Sequence, residues 1–323
     1  MESTSPAPKS RPLTVTGLCA AATWLALASL AASLIGQHWW WLLELPAHFL
    51  VQYAAFFVVA ALLLVFTRRW LLASLAAAAC GVCLAWIMPV YAGDAPAATT
   101  AQLRVTFLNV HSGNRELPRV LEWLSAQDAD IIVLAEVTDA VVTALAPLKA
   151  SHQHHIIDPR PDNFGIALFS RLPLVDRRIV VHPGAEVPSA MVSVRVAGEI
   201  VRVIGTHPVP PISAQYAAWR DEQFADLARE IATSGRPTVV VGDLNCTSFV
   251  GAFRRFTADA RLRDSRDGVG LCWSWPSWCP PLGIAIDHAL VSPSLGVAQR
   301  TVGPDLGSDH RAITVGVAFA AGP

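Results

Sequence analysis

Six short segments of the chain each close an apolar run with a carboxylate, an amide or an imidazole. RVTFLN stops at Asn109, DIIVLAE at Glu136, VRVIGTH at His207, and TVVVGDLN at Asp243 and Asn245. IAIDH presents Asp287 and His288, and Gly307-Ser308-Asp309-His310 leads into the last apolar run. Thr238 to Val241 show no polar alternation, which predicts a strand covered on both faces. Asp243 and Asn245 are two apart, so in extended chain they point the same way, and Gly242 permits an approach that a side chain would block. For any one segment, an Asx-turn closing a strand is a sufficient explanation. Six together argue for a shared site, because layered α/β folds gather ligands and metals at strand ends.

Carboxylates and amides with one or two histidines, and no paired cysteines, make a hard-cation set suited to Mg²⁺ or Mn²⁺. Phosphoryl chemistry fits it best. A phosphoester repels hydroxide, so its hydrolysis needs positive charge on the phosphoryl oxygens, a base for water, and donors for the charge that builds in the transition state.

The elements that must position these residues are legible as apolar runs bounded by Gly, Pro and Asp. They predict strands near 103–109, 130–135, 164–170, 189–196, 201–207, 238–242, 285–291 and 311–319. Leu117, Val120, Leu121 and Leu124 form one helical face; Tyr216, Trp219, Phe224, Leu227 and Ile231 form another, opened by Ser213 and ended near Gly235. Many strands and few helices predict a two-sheet sandwich with helices packed outside. His152, His154 and His155 resemble a metal cluster but lack a spaced Cys or carboxylate, and are expected on the surface.

The front of the chain is different. Of 323 residues 53% are hydrophobic, and the runs Leu13–Ile35, Ala47–Phe66 and Trp70–Tyr91 carry no charge. Each is close to the roughly 20 residues a membrane-spanning helix needs. The expected organisation is a cytoplasmic tail (1–12), three transmembrane helices (13–91), a short Ala/Pro/Thr linker (92–102) and a catalytic domain (103–323). Lys9 and Arg11 precede the first span, and Arg68 and Arg69 separate the second from the third, which places both clusters in the cytoplasm. The intervening HWWWLLE is aromatic and lacks Lys and Arg, so it suits the opposite interface, and three crossings then put the domain outside the cytoplasm of a cell (inner) membrane. His48 and Gln52 in the second span are expected as a helix-helix contact or a snorkelling end. Only four of the 24 Lys and Arg and three of the 25 Asp and Glu precede residue 103, so the domain is near neutral and lacks the basic excess of a non-specific nucleic-acid binder. Cys272 and Cys279 are placed to close a disulfide if they lie outside the cytoplasm.

The motifs LNVHSGN, DIIVLAEV, GIALFSRLPL, THPVPP, GDLN, IDHALVS and GSDHRA resemble, in order, those of the endonuclease/exonuclease/phosphatase superfamily, the deoxyribonuclease I-like fold. The resemblance covers about 103–319 and implies an α+β, four-layer α/β/β/α sandwich. It implies Glu136 as the main Mg²⁺ ligand, with Asn109 and Asp309 completing the metal network. It implies Asp243 on the attacking water, Asn245 on a phosphate oxygen, His310 on the scissile phosphate and oriented by Asp287, and His207 toward the leaving group. Asn109, Asn245, His207 and Arg171 are expected to bind substrate; Arg220, His111 and Asn163 are further candidates, while His288 is expected to be structural. Ala135 stands where many members carry Gln. The expected activity is hydrolysis of a phosphodiester in a lipid headgroup at the bilayer, with a tethered nuclease acting on DNA or RNA as the rival. A non-catalytic ligand-binding or membrane-complex subunit is the alternative of another class, and no protein partner is implied.

Overall fold

The computed structural model describes residues 14–93 and 100–320, so Lys9, Arg11 and residues 94–99 of the linker lie outside the described residues. Three helical segments are long and apolar enough to cross a membrane: Val15–Gly36, Trp41–Phe66 and Trp70–Ala92. They contain α1 (Val15–Gly36), α2 (Leu50–Phe66), α3 (Trp70–Ile87) and the short α4 (Pro89–Ala92). Thr14 caps α1 by accepting a hydrogen bond from the Gly17 amide. Arg68 takes a left-handed conformation (φ 58°) that reverses the chain between α2 and α3.

The rest alternates strands with helices. Its first half runs β1 (Leu103–Asn109), α5 (Leu117–Ala126), β2 (Ile131–Ala135), α6 (Asp139–Ala144), α7 (Leu148–Ser151), β3 (His154–Asp158), β4 (Ile166–Ser170), β5 (Leu174–His182) and β6 (Val187–Val196). Its second half runs β7 (Glu199–Thr206), α8 (Ala214–Ser234), β8 (Thr238–Asp243), α9 (Gly251–Asp259), β9 (Arg263–Asp264), β10 (Asp287–Val291), β11 (Leu295–Val302) and β12 (Ile313–Phe319). Two six-stranded mixed sheets result, ordered β11-β12-β1-β2-β4-β3 and β5-β6-β7-β8-β10-β9. Their facing sides bury Val105, Phe107, Val133, Val192, Val203 and Val241 in one core. On the outer side of the first sheet, Val120 and Leu124 of α5 cover Ile132 and Leu134. On the outer side of the second, Phe224 and Leu227 of α8 and Phe253 and Phe256 of α9 cover Val240. The expected four-layer sandwich is therefore present. α8 begins and ends where the sequence predicts, with Ser213 as N-cap and Gly235 left-handed at its C-terminus.

The N-terminal helices pack against the sandwich through several specific contacts. Gln37 Oε1 accepts from the Gly251 amide at 2.7 Å, and His48 Nδ1 accepts from the Thr247 amide at 3.2 Å. Gln52 donates to the Gly283 carbonyl at 3.0 Å, and the Arg254 guanidinium lies over the Trp86 ring at 4.2 Å. Glu44 accepts two hydrogen bonds from the buried Arg220 of α8, at 2.5 and 2.9 Å. Ala47 joins the core beneath α8 and α9, while Phe249 joins the core of the membrane helices. His48 and Gln52 thus contact the catalytic domain, not another span, and Arg220 is taken by Glu44 and Asp221 instead of facing a substrate.

Two further expectations are corrected. His152 is buried: its ring nitrogens meet Ser151 Oγ at 2.9 Å and the Ala129 carbonyl at 3.0 Å, so it seals the end of α7 against the loop before β2. All six cysteines, Cys272 and Cys279 among them, are free.

Candidate active site

The six polar strand ends identified in the sequence meet at one edge of the sandwich, because β1 and β2, and likewise β7 and β8, run parallel and finish together, and β10 starts beside the end of β8. Three turns there use left-handed backbone at non-glycine residues: His111 (φ 60°), Glu136 (φ 58°) and Asn245 (φ 51°). Such conformations cost of order 1–3 kcal/mol each and collect at functional sites. They turn the chain sharply so that side chains just beyond each strand bend back over its end. Gly242 is required for a simpler reason, since a Cβ there would collide with the Thr206 carbonyl on the parallel neighbour.

Asn109, fully buried, ties the two sheets together. Its Nδ2 donates to Glu136 Oε1 at 3.0 Å and to Asp243 Oδ2 at 3.1 Å, and its Oδ1 accepts from the His111 amide. Glu136 Oε2 accepts from the Ser112 amide at 2.9 Å. Asp243 and Asp287 face each other in the antiparallel register of β8 and β10. Two buried carboxylates side by side need a cation, and His310 provides it. Its Nδ1–H donates to Asp287 Oδ2 at 2.9 Å, and its Nε2 lies 3.5 Å from Asp243 Oδ2. Burial opposes charging His310, but Asp287 and Asp243 outweigh it and raise its pKa to about 10. Burial likewise pushes the Asp243 carboxyl up, with His310 opposing. His207 Nε2 lies 3.5 Å from the same Asp243 oxygen, its ring against Phe164. Ser308 fixes the last segment by donating its hydroxyl to the Asn109 carbonyl at 2.7 Å and accepting from the His310 amide.

A cation finds two kinds of oxygen here. Asp243, Asp287 and His310 offer atoms within 4.8 Å of one another. The hydrogen bond of His310 to Asp287, its 3.5 Å approach to Asp243 and the raised imidazole pKa make them an acid–base chain instead. Outside that chain stand Glu136 and Asp309, whose Oε2 and Oδ1 approach His111 Nδ1 at 3.7 and 3.6 Å. Asp309 Oδ1 is buried without a hydrogen-bond partner, while its Oδ2 accepts from the Trp275 indole at 3.1 Å. An unpartnered buried carboxylate oxygen beside a second carboxylate fits a divalent metal well.

Glu136, His207, Asp243, Asn245, Asp309 and His310 line one cavity of about 760 Å³. Asn163 is on its wall and accepts from the Ser112 hydroxyl. His111 is more central than its sequence position suggests, standing between Glu136 and Asp309. Arg171 is not brought here. Ala135 pairs with Ile166 and Ile131 with Ser170, so Arg171 follows β4 at the end opposite Glu136, where it pairs with Asp128 and the Gln127 carbonyl. His288 is structural as expected, held by Asp264 and the Cys246 carbonyl. Leu45, His48 and Phe49 of the N-terminal helical segment line this same cavity, which no local sequence pattern signals.

No curated protein matches the chain at a significant level. Among solved structures, an endonuclease/exonuclease/phosphatase protein from Beutenbergia cavernae is similar at 20% identity and a TM-score of 0.56, covering 69% of this chain and 73% of that one. A mannosyl-6-phosphatase of Bacteroides thetaiotaomicron is similar at 18% identity and 0.55, covering 67% and 100%. D. rerio TDP2 complexed with a single-strand DNA product is similar at 14% identity and 0.56, covering 67% and 99%. The family model described as "Endonuclease/Exonuclease/phosphatase family" matches residues 107–310, which spans every strand end that meets in the cavity. With its fold, its clustered donors and that match in agreement, the chain belongs to the endonuclease/exonuclease/phosphatase family of metal-dependent phosphoester hydrolases.

Proposed function

We propose that this is a membrane-anchored, Mg²⁺-dependent phosphodiesterase that hydrolyses a lipid headgroup, with its domain outside the cytoplasm of the inner membrane. The observation that carries the lipid reading is the composite cavity: Leu45, His48 and Phe49 from the membrane segment share it with Glu136, Asp243, Asp309 and His310. On this reading a substrate held there lies at the bilayer surface. The outside orientation is supported by contacts of the α1–α2 connection and the end of α3 with the domain, whereas Arg68 and Arg69 sit at the far end of α2, about 25 Å away.

Glu136 and Asp309, with Asn109 beside them, would hold the divalent cation, which supplies positive charge to the phosphoryl oxygens when bound. Asp243 orients water for in-line attack and takes its proton, a role suited to a carboxylate whose basicity burial has raised. His310, kept protonated and in one orientation by Asp287, donates to a phosphoryl oxygen. Asn245 offers its remaining amide hydrogen to the phosphate, and His207 meets the leaving group.

A tethered nuclease is the second reading, favoured by the similarity to a protein complexed with single-strand DNA. A non-catalytic role would call for loss of Glu136, Asp243, Asp309 or His310, and all four are in place. Catalysis is tested by hydrolysis of bis-p-nitrophenyl phosphate with and without Mg²⁺: the rate should need the ion and collapse in Glu136→Ala. Equal rates for wild type and variant would remove Glu136 from the site.

A further inference from the structure

Beside the catalytic cavity lies a second one, of about 510 Å³, within the membrane segment. Its walls are two matching helical stripes. Ala22, Leu25, Ala26 and Ser29 follow one another at three- and four-residue spacing along one face of α1, and Gln52, Tyr53 and Phe56 of α2 do so with Phe49, which caps that helix. The Tyr53 hydroxyl donates to Ser29 Oγ at 2.8 Å and ties the two walls together. Seven rises of helix, from Ala22 to Ser29, make the groove about 10 Å long, a third of a hydrocarbon core roughly 30 Å thick.

The groove does not end blindly. Phe49 lines both it and the catalytic cavity, and Leu282, at its domain end, is two residues from Ile284 on the catalytic wall. The hydrogen bond from Gln52 to the Gly283 carbonyl holds those two walls in contact. Continuing into the catalytic cavity, Leu45, Phe49, Ile284 and Ile286 extend the apolar wall, interrupted by His48, before the polar cluster that includes Glu136, Asp243, Asp309 and His310. A path that is apolar at bilayer depth and ends in a phosphoryl-transfer site has the polarity profile of a single amphiphile.

Building on the lipid reading above, we propose that the α1–α2 groove receives the hydrocarbon tail of the substrate lipid, so that the substrate enters sideways from the bilayer with its tail seated against Ala26 and Phe56 and its phosphate at His310. The tail then contributes to recognition, and a headgroup diester without one binds weakly.

The test fills the groove. Ala26→Trp, with the milder Ala26→Leu, is compared with wild type and with Val58→Trp, which places the same bulk on an exposed face of α2 outside the groove. Each full-length protein, reconstituted with Mg²⁺ in vesicles of total lipid extract from the expression host, is assayed for phosphate or headgroup release and for bis-p-nitrophenyl phosphate hydrolysis. The ratio of lipid to soluble turnover should fall at least tenfold in Ala26→Trp, less in Ala26→Leu, and hold in Val58→Trp. A phosphatidylglycerol with a photoreactive tail should cross-link to α1 or α2 in wild type, and Ala26→Trp should abolish the adduct. Lipid turnover by wild type with an unchanged ratio in Ala26→Trp would overturn the groove alone and leave bulk bilayer lipid as its occupant. Absence of lipid turnover by wild type, with soluble turnover intact, would overturn the lipid reading and the groove with it.

Discussion

Glu44 and Arg220 are 176 residues apart in sequence, yet they form a buried ion pair between the N-terminal helical segment and the catalytic domain. Both side chains are shut away from solvent, at 6% and 1% exposure. Glu44→Gln removes the charge that answers Arg220. Two hydrogen bonds to a charged group are lost or weakened, each worth about 1.5–3 kcal/mol, and breaking a buried pair from one side costs about 3–5 kcal/mol. Asp221 keeps two bonds to the guanidinium, at 3.0 and 2.7 Å, which places the loss at the lower end, about 3 kcal/mol. At about 2–4 °C per kcal/mol this lowers the melting temperature in detergent by roughly 6 °C or more. The double variant Glu44→Leu with Arg220→Met should recover to within about 1 kcal/mol of wild type, because an apolar pair of similar volume avoids the desolvation cost. Since Leu45, His48 and Phe49 follow Glu44 into the cavity, Glu44→Gln should also raise KM for vesicle lipid more than for a soluble diester. A Glu44→Gln protein that melts within 1–2 °C of wild type, a shift under about 1 kcal/mol by the same conversion, would refute the contact as a structural clamp.

Three other outcomes follow from the geometry. Asp287→Asn should lower kcat by about 10²–10⁴-fold, the usual weight of a positioned acid–base group, and should move the basic limb of the pH profile to lower pH, because an anion that raises the His310 pKa has been removed; a basic limb that stays in place would show that His310 does not act as the proton donor. Asp264, although buried, is held well below the usual carboxylate range by Arg266 and His288; its folded pKa is depressed, so its stabilisation is complete above the unfolded value near 4 and is lost as pH falls below it. Asp264→Asn should therefore cost about 3 kcal/mol at pH 7 and flatten the acid side of the stability curve in melts at pH 4 and 7. Arg171→Ala should leave kcat/KM within about twofold and stability within about 0.5 kcal/mol, since its partner Asp128 is exposed.

The strands that the sequence made visible were the interior ones. All eight predicted strands are flanked on both sides in their sheets, and the four that escaped notice, β3, β5, β9 and β11, are the four sheet edges. Interior strands are covered on both faces and read as apolar runs, whereas an edge strand carries charge that guards its open side, as Asp176, Arg177 and Arg178 do in β5. The site was legible for a related reason: polar residues that terminate apolar strands stand out, and their convergence follows once the strands run into two parallel pairs. Asp243 shows that the plain and the functional readings coexist, because its Oδ1 closes an Asx-turn with the Asn245 amide while its Oδ2 faces His207 and His310. Arg171 misled because SRLP lies close to the site motifs in sequence, while the antiparallel register of β2 and β4 sends it to the other end. Glu44, His48 and Arg220 were hidden because their roles arise only when two distant segments dock, and no local pattern records that.

The lipid assignment is tested most directly by initial rates of phosphate or headgroup release from mixed lipid vesicles by the full-length protein with Mg²⁺, beside nicking of plasmid and cleavage of single-stranded DNA in the same preparation. The expected result is lipid turnover that falls about a hundredfold or more in Glu136→Ala, with DNA left intact. Cleaved DNA beside silent vesicles would contradict it and make the protein a nuclease for which the membrane segment only fixes location.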